Sequence, residues 1–271
     1  MAKSDQLRQL HENMQLNGKS KHEDEQIKEI VKAVKNELEN DLGVKLELQE
    51  KVLLTDIITF LREKFPSVSF ANPSVGKSYM KPDGGITYLV AKNGKKYPIL
   101  IGEVKNQGTN DKRIKEGLKK QAKGNAVERL GKNVIGFRTY MLTEAIFPYV
   151  CFGDGCDFEE GSSILDRVLT IAMFGALNID HTANCGQNGL FNRGSYYFRD
   201  KEWTIKEIYD ILYDVAKKSI LYYFSKYGEN TFINGSLTIK RDYTILENNQ
   251  NFELKAGEKP VEYGEKESNE Q

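Results

Sequence analysis

The chain has 271 residues, 39% of them apolar and 10% aromatic, which is enough for a sizeable core and too much for wholesale disorder. Lys plus Arg equals Asp plus Glu at 39 each, so net charge singles out no partner, although a balanced total still allows a local basic cleft. No apolar run reaches the length of a membrane span, the opening MAKSDQLRQLHENMQ lacks a signal-peptide stretch, and three cysteines outline no disulfide framework, so the chain reads as soluble and cytoplasmic.

Residues 1–22 are polar and mixed in charge, which suits a mobile arm. From Glu23 to about Leu42, Ile27, Ile30, Val31, Val34 and Leu38 recur at helical spacing. A second helix is expected from Leu54 to Lys64, with Ile57, Ile58 and Leu61 inside and Pro66 as its stop. Ile86, Tyr88 and Val90 then alternate, Asn93-Gly94 supplies a hairpin turn, and PILIGEVK returns as an apolar strand. TNDKRIKEGLKKQAKGNAVERL is highly charged and partly helical, PYVCFG (148–153) reads as a buried strand, and Ser163 to Gly175 carries a short helical pattern. SYYFR (195–199) is another candidate strand. Thr204 with Glu207 makes a capping box that opens a long helix with Ile208, Leu212, Val215 and Ile220 on its apolar face. Ile233-Asn234-Gly235-Ser236 suggests a small turn, and the segment from Lys255 on has the composition of a disordered tail. No internal repeat is visible. Strands interleaved with helices predict one α/β domain over 23–254.

The hairpin brings the first chemistry. A two-residue turn at Asn93-Gly94 places Glu103 opposite Gly84 and Lys105 opposite Pro82, so Asp83 shares a sheet end with Glu103 and Lys105. Side chains alternate along a strand, which puts Glu103 and Lys105 on one face. Two converging carboxylates repel unless a cation neutralises them, and Mg²⁺ prefers oxygen ligands. A metal there activates water and stabilises charge on a phosphate oxygen, while Lys105 orients or deprotonates that water or neutralises developing charge. Gly84 and Gly85 are expected to leave room for a bulky substrate. The competing interpretation is a surface Pro-Asp-Gly-Gly turn beside an exposed ion pair.

Four motifs occur in order: KPDGGI, GEVKNQG, AKGNAVER and FPYVCF. The first two resemble the signature of the PD-(D/E)xK nucleases, and all four together resemble the EcoRI group of type II restriction endonucleases. The likeness covers about residues 80–175 well, runs more loosely over the helix after Trp203, and is poor in the first 70 residues and the tail. It implies a restriction-endonuclease-like fold with a central mixed β-sheet flanked by helices. It also implies catalysis by Asp83, Glu103 and Lys105, with Asp83, Glu103 and the Val104 backbone carbonyl on the metal. In the family the Gly-Asn-Ala segment is extended chain, followed by a recognition helix. Residue chemistry agrees: Asn125 suits adenine N6 and N7, Arg129 purine N7, Glu128 an exocyclic amine and Ala126 a thymine methyl, with Gly124 permitting close approach, against the alternative of a helix start with an adjacent surface charge pair. Arg167 is a further base-contacting candidate. Lys112, Arg113, Lys115, Lys119, Lys120 and Lys123 put six basic residues into twelve between the two motifs, and Lys112, Arg113, Lys119, Lys120 and Lys123 are assigned to phosphates, against the alternative of a solvated helix face.

The chain also departs from the family pattern. The connection from GEVKNQG to the Gly-Asn-Ala motif is shorter, a long insertion after FPYVCF is missing, and Arg167 stands where the family's founding member has two arginines. These differences bear on DNA-embracing arms and outer-base contacts. Cys151, Cys156, His181 and Cys185 can be drawn as a zinc site, but Cys151 falls in an apolar strand, where a buried free thiol is usual. His11 and His22 lie in the polar arm, and Trp203 is expected to anchor packing.

The resemblance therefore implies a homodimeric, Mg²⁺-dependent endonuclease on double-stranded DNA. Its palindromic site would have an AATT core, with GAATTC favoured and CAATTG open because Lys123 precedes the motif. Adenine contacts imply a partnering adenine-N6 DNA methyltransferase. The alternatives are a PD-(D/E)xK nuclease of repair or recombination with other specificity, and a non-catalytic DNA-binding protein.

Overall fold

The computed structural model describes residues 25–72, 77–106, 109–120, 124–172, 176–180, 182 and 192–233. The polar arm, the tail, the turn at 234–236, His11, His22, His181, Cys185 and Lys123 lie outside them. A six-stranded mixed sheet forms the centre, in the order β1 (Leu46–Gln49), β4 (Gly85–Val90), β5 (Lys96–Asn106), β6 (Tyr149–Asp154), β8 (Ser195–Phe198) and β7 (Ala176–Leu177). The β1-β4-β5 side is antiparallel, whereas β5, β6, β8 and β7 run parallel. Two short strands, β2 (Val52–Leu53) and β3 (Tyr79–Met80), pair separately. This is the α/β sheet with flanking helices that the sequence predicts.

Helix α1 (25–42) turns Ile27, Ile30, Val31, Val34 and Leu38 inward, each at most 4% exposed. It shares one face of the sheet with α6 (Ile205–Tyr227), joined through hydrogen bonds from Tyr209 to Glu37 and from Tyr213 to Asp41. The other face carries α4 (Gly124–Tyr140), with α2 (Leu54–Lys64) and α5 (Ser163–Ala172) packed on it. A short helix, α3 (Thr109–Lys115), follows β5 in the chain and is hydrogen-bonded to the segment after β6 through Asn110–Asp157 and Cys156 N–Asp111. At the start of α6, the Thr204 side chain accepts from Glu207 N, and Glu207 accepts from Thr204 N, completing the capping box.

The hairpin register holds at the end that matters, by a different route. The chain reverses over Lys92-Asn93-Gly94, with Ala91 N–H bonded to Lys95 O and Gly94 at φ 84°. That longer turn pairs Tyr88 with Pro98 and Val90 with Lys96, one residue off the two-residue expectation. An irregularity between Thr87 and Tyr88 absorbs the extra residue on β5, and beyond it Thr87 pairs with Leu100 and Gly85 with Gly102. The bulge restores the face on which Glu103 and Lys105 stand.

Candidate active site

Asp83 sits in a turn closed by Gly85 N–H to Pro82 O at 3.1 Å, immediately before β4. Gly84 N–H donates to Gly102 O at 2.9 Å, which locks that turn against β5 one residue before Glu103. Asp83 Oδ2 accepts from Val104 N at 3.2 Å, and Asp83 N donates to Glu103 Oε2 at 3.3 Å. Lys105 Nζ reaches Asp83 Oδ2 at 3.3 Å and Val104 O at 3.2 Å, and pairs with Glu103 Oε1. The three predicted residues form one cluster, and Glu103 is only 1% exposed, which disfavours the surface-ion-pair alternative.

The glycines serve the fold. A Cβ on Gly84 would lie 3.1 Å from Ile27 and 3.2 Å from Val31, and one on Gly85 would lie 2.9 Å from the Gln49 carbonyl. Gly85 has φ 78°, which favours glycine. The space a side chain would need at either glycine is thus taken by the protein's own α1 and β1, while a small cavity lined by Asp83, Gly84 and Gly85 opens beside the turn.

Burial is the main cause that raises the Glu103 carboxyl to about 7; Lys105 opposes it and Asp83 adds to it. Burial alone would lower Lys105, but the charges of Glu103 and Asp83 outweigh it, so its pKa is raised and it is held as an ammonium. That ammonium lies within hydrogen-bond reach of an Asp83 oxygen, a Glu103 oxygen and the Val104 carbonyl. Three converging oxygens around a cation are the donor chemistry a hard divalent ion takes, and they are the same three oxygens expected from the motif. Among the described residues no three His, Cys, Asp or Glu side chains cluster for a metal, so this set depends on the backbone carbonyl. Cys151 is buried in β6, and burial raises its thiol well above the usual range.

Helix α4 begins at Gly124, so Gly124, Asn125 and Ala126 are helical here and not extended as the family pattern implies. The side chains of Asn125, Ala126, Glu128 and Lys112 lie outside the described residues. Arg129 is exposed on α4 and Arg167 is exposed on α5, which packs against α4. In the basic run, Arg113 Nε donates to Lys119 O at 2.7 Å and Lys119 is exposed. Lys120 is bonded to Cys156 O at 2.7 Å and to Glu159 at 2.6 Å, so its charge is partly engaged within the protein. Trp203 packs edge-on against Phe152 and Tyr197 and donates Nε1–H to Gly153 O at 3.1 Å, with the Arg199 guanidinium over its ring. It is a packing anchor, as expected.

Asn133, which no sequence motif marks, is a buried α4 residue whose Nδ2 donates to Glu103 Oε1 at 3.3 Å. The one available signal was its place on the apolar stripe Leu130, Val134, Phe137 of a helix opened by the Gly-Asn-Ala motif.

A family model described as restriction endonuclease EcoRI matches residues 12–164. The type II restriction enzyme RsrI from Cereibacter sphaeroides is 30% identical over 232 residues, which cover 65% of this chain and 84% of that protein. The type II restriction enzyme EcoRI from Escherichia coli is 27% identical over 237 residues, covering 74% of this chain and 85% of that enzyme. The family match spans more than half of the chain and contains the Asp83 turn, β5 and the start of α4. Likeness of that extent carries more than a shared fold, and the chain belongs to the EcoRI family of type II restriction endonucleases.

Proposed function

We propose that this chain is a Mg²⁺-dependent site-specific deoxyribonuclease that acts as a homodimer on a palindromic duplex site with an AATT core. GAATTC is favoured over CAATTG because the likeness to EcoRI runs along most of the chain. The observation that carries the reading is the convergence of Asp83, Glu103 and Lys105 at the C-terminal end of β5. Asp83, Glu103 and the Val104 carbonyl would hold the ion. When bound, Mg²⁺ supplies Lewis-acid stabilisation of negative charge on a phosphate oxygen.

The chain's own residues set the geometry. Glu103 and Asp83 hold each other through the Asp83 N–H and the Lys105 ammonium, so the acidic pair is positioned before substrate arrives. Lys105 places a positive charge at the site, where it offsets charge developing on the phosphate. Gly124, Asn125, Ala126, Glu128, Arg129 and Arg167 are assigned to base edges, and Lys112, Arg113, Lys119, Lys120 and Lys123 to phosphates. One active site per chain and a two-fold symmetric sequence require matched two-fold symmetry, which is the argument for a dimer. Adenine-N6 contacts imply a methyltransferase partner in the same cell.

The test is plasmid digestion with Mg²⁺ or with chelator, by wild type and by Asp83→Asn and Glu103→Gln. Wild type is expected to cut only with Mg²⁺, and both variants to lose cutting while still binding duplex in Ca²⁺. Cleavage by Asp83→Asn near the wild-type rate would overturn the assignment.

A further inference from the structure

Both oxygens of the Glu103 carboxylate are held by donors. Asp83 N serves Oε2, and Lys105 Nζ and Asn133 Nδ2 serve Oε1. The first two donors belong to the strand pair that carries the acids. Asn133 comes from α4, the helix that opens with the base-reading motif. We propose that Asn133 is a positioning residue that holds the Glu103 carboxylate and couples its placement to the base-reading end of α4. This rests on the nuclease reading above.

Three observations support it. Asn133 is 7% exposed on a face otherwise made by Leu130, Val134 and Phe137, and an amide at such a position costs free energy unless it is bonded. It lies one helical turn beyond Arg129 and eight residues beyond Asn125, so displacement of the helix start moves Nδ2 with it. Finally, α4 lies close against the segment that leads to the other acid. A Cβ on Gly136 would fall 2.0 Å from Met80 Sδ, and Met80 is three residues before Asp83. The helix therefore touches Glu103 directly and abuts the segment that carries Asp83. Residues that orient a metal-binding side chain are typically worth about 10–100-fold in metal affinity or activity.

The experiment compares wild type with Asn133→Ala and Asn133→Leu. The leucine variant keeps bulk in the apolar stripe and removes the amide that donates to Glu103. Tb³⁺ luminescence titration of the protein without DNA reads metal affinity, thermal melting reads the fold, and steady-state cleavage in Mg²⁺ separates kcat from KM on cognate and singly mismatched duplexes. Both variants are expected to bind Tb³⁺ about 10-fold or more weakly and to lose kcat by a similar factor, with KM little changed. The ratio of cognate to mismatched cleavage should narrow, because the helix no longer reports to Glu103. A merely structural asparagine would instead give a leucine variant that melts at or above the wild-type temperature with Tb³⁺ affinity and kcat intact, and that result overturns the proposal. If wild type cuts no duplex while the variants still lose Tb³⁺ affinity, the positioning role stands and the nuclease reading fails.

Discussion

Glu103 keeps an acidic group at a position where almost no water reaches it, and burial without donors would be costly. Its neighbours explain why the fold tolerates it: an ammonium, a backbone N–H and an amide all point at the carboxylate. Lys105 is the residue whose loss separates electrostatics from metal holding. Lys105→Ala is expected to lower the single-turnover rate by about 10²–10⁴-fold with Tb³⁺ binding retained; an unchanged rate would remove it from the chemistry. Positioning and reading also separate by residue. Lys119 is exposed, so Lys119→Ala should weaken cognate and random duplex alike and reduce the salt slope by about one unit. Asn125→Ala should cost cognate binding about 1–3 kcal/mol with little loss on random DNA. Equal, uniform losses from both would mean that the motif at 124–129 reads no bases.

Individual elements differ in how far the sequence revealed them. Helices α1, α2 and α6 were legible because their apolar residues repeat at helical spacing and Thr204 and Glu207 mark a start by known chemistry. The Glu103–Lys105 face was legible although the turn is one residue longer than Asn93-Gly94 suggested, because the bulge near Thr87 compensates. The edge strand β1 was missed despite alternating Leu46 and Leu48, since four residues carry little periodic signal. Asn133 had no motif of its own, and its partner is thirty residues away in sequence. Two substitutions probe the elements. Thr204→Ala removes the cap and should cost about 1 kcal/mol of stability, read by denaturant unfolding, with cleavage little changed. Gly136→Val should crowd the buried Met80 side chain, costing about 1–3 kcal/mol through overpacking, and should slow cleavage beyond what the lost folded fraction explains if α4 rather than Met80 yields. Wild-type activity per folded molecule in Gly136→Val would show that the close approach of α4 matters only for packing.

At the scale of the whole molecule, balanced charge conceals an uneven layout, with Asp83 and Glu103 converging at the end of β5 and six basic residues crowded into the sequence from Lys112 to Lys123. In the proposed dimer every contact occurs twice, so a single unfavourable one is felt twice. An N6-methyl on a core adenine adds bulk where Asn125 and Glu128 are assigned and misplaces the donor they need, at about 1–3 kcal/mol per unsatisfied acceptor. Digestion of duplexes methylated at each core adenine in turn is expected to show blocked or greatly slowed cutting; equal cutting of all duplexes would refute both the contact and the inferred methyltransferase. The most direct measurement is digestion of a long unmethylated DNA in Mg²⁺ with the ends of every fragment sequenced. Discrete fragments are expected, whose ends all fall in one six-base palindrome centred on AATT. Ends scattered without a common sequence, or no cutting at all with a folded protein, would contradict the proposed function.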